Sequence, residues 1–459
     1  MVATPVNTQK SGRHYLIEAD SPNQSLLPLT AQVNAQDHLE VGGCDVVELT
    51  QRFGTSLYIV DEVTLRTACQ QYRDAFKQHY PGESLVIYAS KAWNCLAIDA
   101  IVNSEGLGID VVSAGELYTA TKAGFKGDKI YVHGNNKSSE ELQMSIDQGA
   151  TIVVDSWSEL RSLAQMTQQQ TARIMVRLTP GIECHTHEYI KTGCIDSKFG
   201  FDPSQVEQVF EFVAQNKGLN FVGLHAHIGS QIFELKPHED LGAVMVDWLT
   251  KAQQHGLSIE QLDIGGGLGI RYTESDDPPS IDAWAKTVCE SVAAACKSKD
   301  VPLPKLIAEP GRSLVGTSCV TAYTVGGHKT IPDVRTYLSV DGGMSDNPRP
   351  ITYQSLYFAV VANHMSQPMT ETVTIAGKHC ESGDVLIKDA SLPPTQAGDI
   401  LVIPDTGAYN YSMSSNYNRI ARPAAVLVRD GNASLILERE TLDDLLRHDR
   451  LPDHLLAAQ

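Results

Sequence analysis

The sequence predicts an α/β fold, a TIM (β/α)8 barrel with an additional antiparallel β-domain, on three observations. Eight short apolar runs recur along the chain, and a helical pattern follows each. The runs are apolar on both faces rather than alternating, as in parallel strands covered on both sides. After Gly326 the helical patterns stop, and short β-branched runs follow one another across Gly, Pro and Asp.

Residues 1–37 are polar and lack the apolar stretch of a secretory signal. They read as an N-terminal tail, and Glu18 and Asp20 argue against a transit peptide. Residues 38–60 carry short strands around one helix and are expected to join the β-domain from the opposite chain end. The eight runs are LVIYAS (85–90), GIDVVS (108–113), KIYVHG (129–134), TIVVDS (151–156), RIMVRL (173–178), FVGLHAHIG (221–229), QLDIGGG (261–267) and KLIAEPG (305–311). Between them SEELQMSIDQGA, SWSELRSLAQM and AWAKTVCESVAAACK are amphipathic, and Gly124, Gly149 and Gly256 stand where helices end. Eight such units need about 250 residues, so the barrel is expected over 61–325. An open doubly wound sheet is the competing arrangement. RTYLSVD, TVTIAG, DILVIP and RPAAVLVRD supply strands of a β-domain over 326–459, which ends in a helical tail.

The chain has 459 residues, 42% hydrophobic and 20% charged, with a formal net charge of −19. So acidic a surface repels nucleic acid and anionic lipid, and neither is an expected partner. A phosphate ligand stays possible, because backbone N–H groups bind phosphate locally. The nine Cys form no CxxC pairs, so neither a disulfide framework nor a zinc site is expected, and a reducing cytoplasm is. No apolar run approaches the length of a membrane span.

Active sites of such barrels form at the C-terminal strand ends. Lys91 follows the first run directly. Alone it reads as a lysine snorkelling from a strand end; the other reading is a desolvated amine able to form a Schiff base. Later strand ends favour the second. Gly265, Gly266 and Gly267 follow the seventh run, and Glu309, Pro310, Gly311 and Arg312 the eighth. The loops after strands seven and eight are the usual phosphate site of this fold. His225 and His227 alternate by two and share a face. No carboxylate or third His stands near them in the sequence, so a ring lying flat against a cofactor is expected rather than a metal ligand.

Ten segments carry a wider resemblance: YASKAWN, GIDVVSAGEL, HGNNKS, TGCIDSKFGF, HAHIGSQ, DIGGGLG, EPGR, DGGMSDNPRPITY, CESGD and GAYNYSMSSNYN. In this order, from about His38 to about Val428, they resemble the diaminopimelate decarboxylases. These are fold-type III pyridoxal 5'-phosphate enzymes related to ornithine decarboxylase and alanine racemase. The resemblance implies decarboxylation of meso-2,6-diaminopimelate to L-lysine and CO2, the last step of lysine biosynthesis. It implies a TIM barrel with a β-domain built from both chain ends, and a homodimer with shared active sites. Lys91 matches the cofactor lysine and His227 the ring-stacking His. Ser230, Gly267, Glu309, Pro310, Gly311 and Arg312 match cofactor contacts. Arg312, Arg349, Tyr353 and Glu381 match substrate contacts, and Tyr409 matches a residue that touches both cofactor and substrate. Cys380 matches the acid that returns a proton, from the partner subunit. An ornithine- or arginine-type decarboxylase, a racemase and a non-catalytic pyridoxal-phosphate-binding protein stay open beside this. Arg349, Tyr353, Cys380 and Glu381 speak against the last, which needs no substrate-gripping groups.

Overall fold

The computed structural model describes residues 10–182 and 197–456. The HTHEYI segment and the start of the TGCIDSKFGF motif lie outside the described residues, as do residues 1–9 and 457–459.

All eight runs form parallel strands: Ser84–Ala89, Gly108–Val111, Ile130–Val132, Thr151–Val154, Ala172–Arg177, Leu219–His225, Gln261–Asp263 and Lys305–Ala308. The last pairs with the first, Leu306 opposite Ser84 and Ala308 opposite Val86, so the sheet closes and the open doubly wound arrangement is excluded. Apolarity on both faces has a direct cause here. Ile87, Tyr131, Val153, Met175, Val222 and Ile307 point inward and fill the barrel. Their neighbours Val86, Tyr88, Ile109, Ile152, Ile174 and Leu224 point outward against the helices.

The helices stop where their glycines predict. Gly124, Gly149 and Gly256 have φ of +94°, +69° and +77°. The amides of Phe125, Ala150 and Leu257, each one residue on, return to the carbonyls of Ala120, Ser145 and Ala252, which is the Schellman closure. Several helix starts are capped by side chains: Asp61 accepts from Val63 and Thr64, Ser280 from Ala283, and Ser138 and Glu141 form a capping box. Helix Glu62–His79 precedes the first barrel strand and packs against helix Ile281–Lys299, where Trp284 meets Tyr72 and Phe76.

The β-domain draws on both chain ends. Leu57–Asp61 pairs antiparallel with the 13-residue strand Cys319–Ile331 and parallel with Ala424–Arg429. Arg335–Val340 pairs parallel with Glu371–Ala376, so the sheet is mostly but not wholly antiparallel. The other parallel pair arises because the strand from the N-terminal end, Leu57–Asp61, takes a place inside the sheet, between Cys319–Ile331 and Ala424–Arg429. Of the early strands only Leu57–Asp61 enters this sheet. Gln32–Val33, Leu39–Val41 and Cys44–Asp45 form a small sheet of their own.

The expected N-terminal tail is not free over its described part. Ser21, Pro22, Asn23, Leu26 and Leu27 are buried. The Asn23 amide donates to the carbonyls of Gly269 and Pro279. A polar composition concealed this anchoring, because its polar side chains are bonded to distant parts of the chain: Ser21 to Gln71 and Gln24 to the Pro278 carbonyl.

Candidate active site

The C-terminal strand ends open into a cavity of about 970 Å3, lined by residues from the barrel and the β-domain. It gathers Lys91, His227, Ser230, Gly267, Glu309, Gly311, Arg312, Arg349, Tyr353 and Tyr409. Pro310 does not line it; its carbonyl accepts from the Ala89 amide at 3.1 Å and so ties the eighth strand end to the first. Cys380 and Glu381 are absent from the lining and exposed on the β-domain. The Cys380 amide donates to Asn418 Oδ1, and Glu381 Oε1 accepts from the Gly383 amide.

Lys91 stands in the turn Ser90–Ala92, its Nζ 3.9 Å from Asp110 Oδ2. Burial by itself would lower its pKa, but Asp110, Tyr409 and Glu309 raise it above the ordinary value. The amine therefore rests as an ammonium beside a carboxylate, not as the neutral desolvated group that the strand-end position suggests. Asp110 is fully buried, and burial raises its own pKa.

At the barrel floor, Glu309 meets two imidazoles. His133 Nε2 lies 2.6 Å from Oε1 and His225 Nε2 3.2 Å from Oε2. Burial would raise the Glu309 pKa, but the two histidines hold it well below the usual carboxylate range. Burial lowers the His225 pKa to about 3, so this ring faces Glu309 as a neutral donor. Asp263, beside them, is raised well above its ordinary value by burial and by the Glu309 charge. The sequence offered no acid near His225; the fold brings Glu309, Asp263 and His133 to it from three other strands. A register shift between Phe221 and Gly223 lies just before His225 and re-aims the strand end.

His227 accepts at Nδ1 from the Gly266 amide at 3.3 Å, and burial lowers its pKa well below the ordinary value. The ring is neutral and held in plane by that bond. The glycine run makes room for it: a Cβ on Gly265 would lie 2.7 Å from His227 Nδ1, and one on Gly266 2.3 Å from the Glu309 carbonyl oxygen. Gly267, at φ +118°, sits where side chains are strained.

The two arginines are held apart from solvent by tyrosines. Arg312 donates to Ser230 Oγ at 3.1 Å and to the Tyr272 hydroxyl at 2.7 Å. Arg349 lies over the Tyr272 ring at 4.6 Å and donates to the Tyr357 hydroxyl at 2.5 Å. Both guanidiniums are buried without a carboxylate in these contacts, which suits an anionic ligand.

Sequence reading did not single out Asp110, His133, Arg177, Asp263, Tyr272 or Tyr357. For Asp110, His133 and Arg177 a signal existed, because each places a charged or titratable group at the end of an apolar barrel strand. Tyr272 and Tyr357 lie in loops with no such mark.

These groups match the chemistry of one cofactor. Pyridoxal 5'-phosphate presents a carbonyl, a flat ring, a basic ring nitrogen and a phosphate. The cavity offers an amine, a neutral imidazole face, a buried carboxylate, and a hydroxyl beside glycine-rich turns. Both carboxylate oxygens of Asp110 lack a hydrogen-bond partner, which is costly unless a ligand or water completes them.

Comparison with known proteins agrees with this geometry. Residues 63–316 match the family model "Pyridoxal-dependent decarboxylase, pyridoxal binding domain". A diaminopimelate decarboxylase of Synechocystis sp. is 62% identical over 447 residues, covering 95% of both chains. One of Bacillus subtilis is 43% identical over 429 residues, covering 92% of this chain and 97% of that one. The crystal structure of diaminopimelate decarboxylase from M. jannaschii superposes with a TM-score of 0.86 at 35% identity, covering 93% of this chain and 99% of that one. The same enzyme has been solved in co-complex with L-lysine.

Proposed function

Because the chain belongs to the diaminopimelate decarboxylase family of pyridoxal-dependent decarboxylases, we propose a division of labour for the residues gathered in its cavity. The chain is a pyridoxal 5'-phosphate-dependent carboxy-lyase that converts meso-2,6-diaminopimelate to L-lysine and CO2. When bound, the cofactor supplies an electron sink for the electron pair left behind by carbon dioxide.

Lys91 holds the cofactor covalently through Nζ, and Asp110 holds that amine in place while it carries a proton. His227 lies against the ring, with its plane set by the Gly266 amide. Glu309 faces the ring nitrogen and keeps a proton there. Ser230, Gly267 and Gly311 take the phosphate, Pro310 fixes their turn, and Arg312 and Tyr409 close the site.

Arg312 and Arg349, linked through Tyr272, grip the distal carboxylate of the substrate, and Tyr353 lines its path. The single observation that carries the substrate reading is this pair of buried guanidiniums in one cavity with Lys91. A site for ornithine needs only an acid for the distal amine, whereas a substrate with a distal carboxylate needs a cation. Leaving a guanidinium buried and unpaired costs roughly 2–5 kcal/mol, by analogy with truncated buried pairs.

Cys380 and Glu381 act from the partner subunit of a homodimer. Cys380 Sγ returns a proton to the carbon that lost its carboxylate, and Glu381 takes the distal ammonium. Their exposure on the β-domain supports this, as does Leu356, which is 72% exposed at the cavity mouth. The proposed domain division is a barrel over 61–325 and a β-domain from 38–60 and 326–459, with strand Cys319–Ile331 running along the seam. A cytoplasmic location is proposed from the free cysteines among the described residues. No helix among those residues is long and apolar enough to cross a membrane.

The test is direct. Holoprotein is incubated with meso-diaminopimelate, ornithine, arginine or lysine, and CO2 and amine products are measured. Diaminopimelate should release CO2 and lysine in equal amounts, far faster than the others. Faster turnover of ornithine or arginine would overturn the substrate assignment and leave the cofactor site standing.

A further inference from the structure

Four barrel strands end in side chains that converge on the barrel axis: His133 after the third, His225 on the sixth, Asp263 on the seventh and Glu309 after the eighth. Their ligand-type atoms all lie within 4.8 Å of one another, and all four side chains are buried. The two imidazole rings meet edge to face at 4.8 Å, which brings one Nε2 to each oxygen of the Glu309 carboxylate. Such a set could hold a metal ion, but the spacing argues for protons. His133 Nε2 stands 2.6 Å from Glu309 Oε1, at ion-pair distance, while His225 Nε2 makes the hydrogen bond to Oε2 at 3.2 Å. Two ligands on one tetrahedral zinc, with bonds of about 2.0 Å, stand about 3.3 Å apart.

A carboxylate and a pyridine that share one proton have two arrangements. The proton sits on the carboxyl, with both groups neutral, or on the ring nitrogen, with both charged. Burial alone favours the neutral arrangement. Donors to the carboxylate favour the charged one, because they stabilise only the anion. Each Glu309 oxygen has a histidine nitrogen beside it, and burial together with the Glu309 charge raises the pKa of the neighbouring Asp263.

We propose that His133 and His225 are positioning residues that set where this shared proton rests. His225 hydrogen-bonds one oxygen of Glu309 through Nε2 and His133 sets its Nε2 at ion-pair distance from the other, and together they keep that carboxylate an anion, so the proton stays on the ring nitrogen it faces. The inference rests on the assignment of Glu309 to that nitrogen made above. Neither histidine needs to touch the substrate.

The test reads the ring nitrogen itself. Holoenzyme is prepared with cofactor 15N-labelled at the pyridine nitrogen, and its resonance is recorded for wild type, Glu309→Gln, His133→Leu, His225→Leu and His133→Gln. Wild type should show a protonated nitrogen. The two Leu variants should move the resonance toward the unprotonated value and lower kcat about ten- to a hundredfold, with KM little changed. His133→Gln, which keeps an N–H donor, should recover most of the shift. An unmoved resonance in the Leu variants, with Glu309→Gln moving it, would overturn the role of the histidines and leave Glu309 in place. An unmoved resonance in Glu309→Gln as well would overturn the Glu309 assignment with it. Should the Leu variants fail to hold cofactor, 15N-histidine spectra of wild-type holoenzyme decide: both rings must carry a proton on Nε2, and a bare Nε2 on either overturns the proposal. A stoichiometric metal ion in the purified protein would overturn it too.

Discussion

Arg312 donates to the Tyr272 hydroxyl at 2.7 Å, and Arg349 lies over the ring of the same tyrosine at 4.6 Å. One tyrosine thus contacts both Arg312 and Arg349, by a hydrogen bond to the first and a cation–π contact to the second.

Tyr272→Phe keeps the ring and loses the bond to Arg312. A hydrogen bond to a charged group contributes about 1.5–3 kcal/mol, so KM for meso-diaminopimelate should rise about tenfold or more. Cofactor absorbance should not change. Tyr272→Leu should raise KM further, since Arg349 then loses its platform as well. Steady-state kinetics on both variants, beside cofactor titration, checks this; an unchanged KM in both would remove Tyr272 from the clamp.

Arg349→Ala should damage turnover of diaminopimelate far more than it damages cofactor binding. The loss removes a cation from the substrate end of the cavity and none from the cofactor end. Equal loss of cofactor affinity, measured by equilibrium dialysis, would move Arg349 out of the substrate site.

Lys91→Ala should abolish the visible absorbance of covalently held cofactor. Glu309→Ala should keep that absorbance and lose most of the turnover, because the electron sink weakens once the ring nitrogen loses its anionic partner. Spectra and initial rates separate the two roles. Wild-type turnover in Glu309→Ala would end the assignment.

Inactive Lys91→Ala protein mixed with inactive Cys380→Ala protein should regain activity through hybrid dimers. Each hybrid pairs one intact Lys91 with one intact Cys380 across the interface. Activity that stays absent, while labelled subunits are seen to exchange, would count against sites shared between subunits.

Asp99 should make stability pH-dependent. It is buried in helix Leu96–Ser104, and burial followed by the Glu116 charge raises its pKa to about 8. In the unfolded chain it ionises near pH 4, so between those values the folded state binds the extra proton. Stability is then lost as pH rises from about 4 to about 8, by a few kcal/mol in all. Asp99→Asn has no proton to hold, so its melting temperature should exceed that of wild type by a margin that grows across that window. A margin independent of pH would contradict the shift.

The barrel was legible in the sequence because its determinants are local. Eight runs apolar on both faces, with helices and glycine stops between them, call for parallel strands covered on both sides, and their number favours a barrel; the pairing of Leu306 with Ser84 closes it and excludes the open doubly wound sheet. Lys91, His227, Glu309 and Arg312 were legible for a related reason: each stands just past such a run, at the end of the barrel where side chains meet. The tertiary structure alone decided the rest. The sheet partner of Leu57–Asp61 lies more than 250 residues away, and no local pattern encodes a pairing at that distance. The anchoring of residues 21–27 rests on contacts of Ser21, Asn23 and Gln24 with residues far along the chain. The neighbours of Glu309 and of the arginines come from separate strands and loops, so their proximity exists only once the barrel closes. The sequence determines which groups reach the barrel mouth, because that follows from strand periodicity; the closed fold decides which of them touch, and so where protons and charges rest, because those energies fall off over a few ångströms.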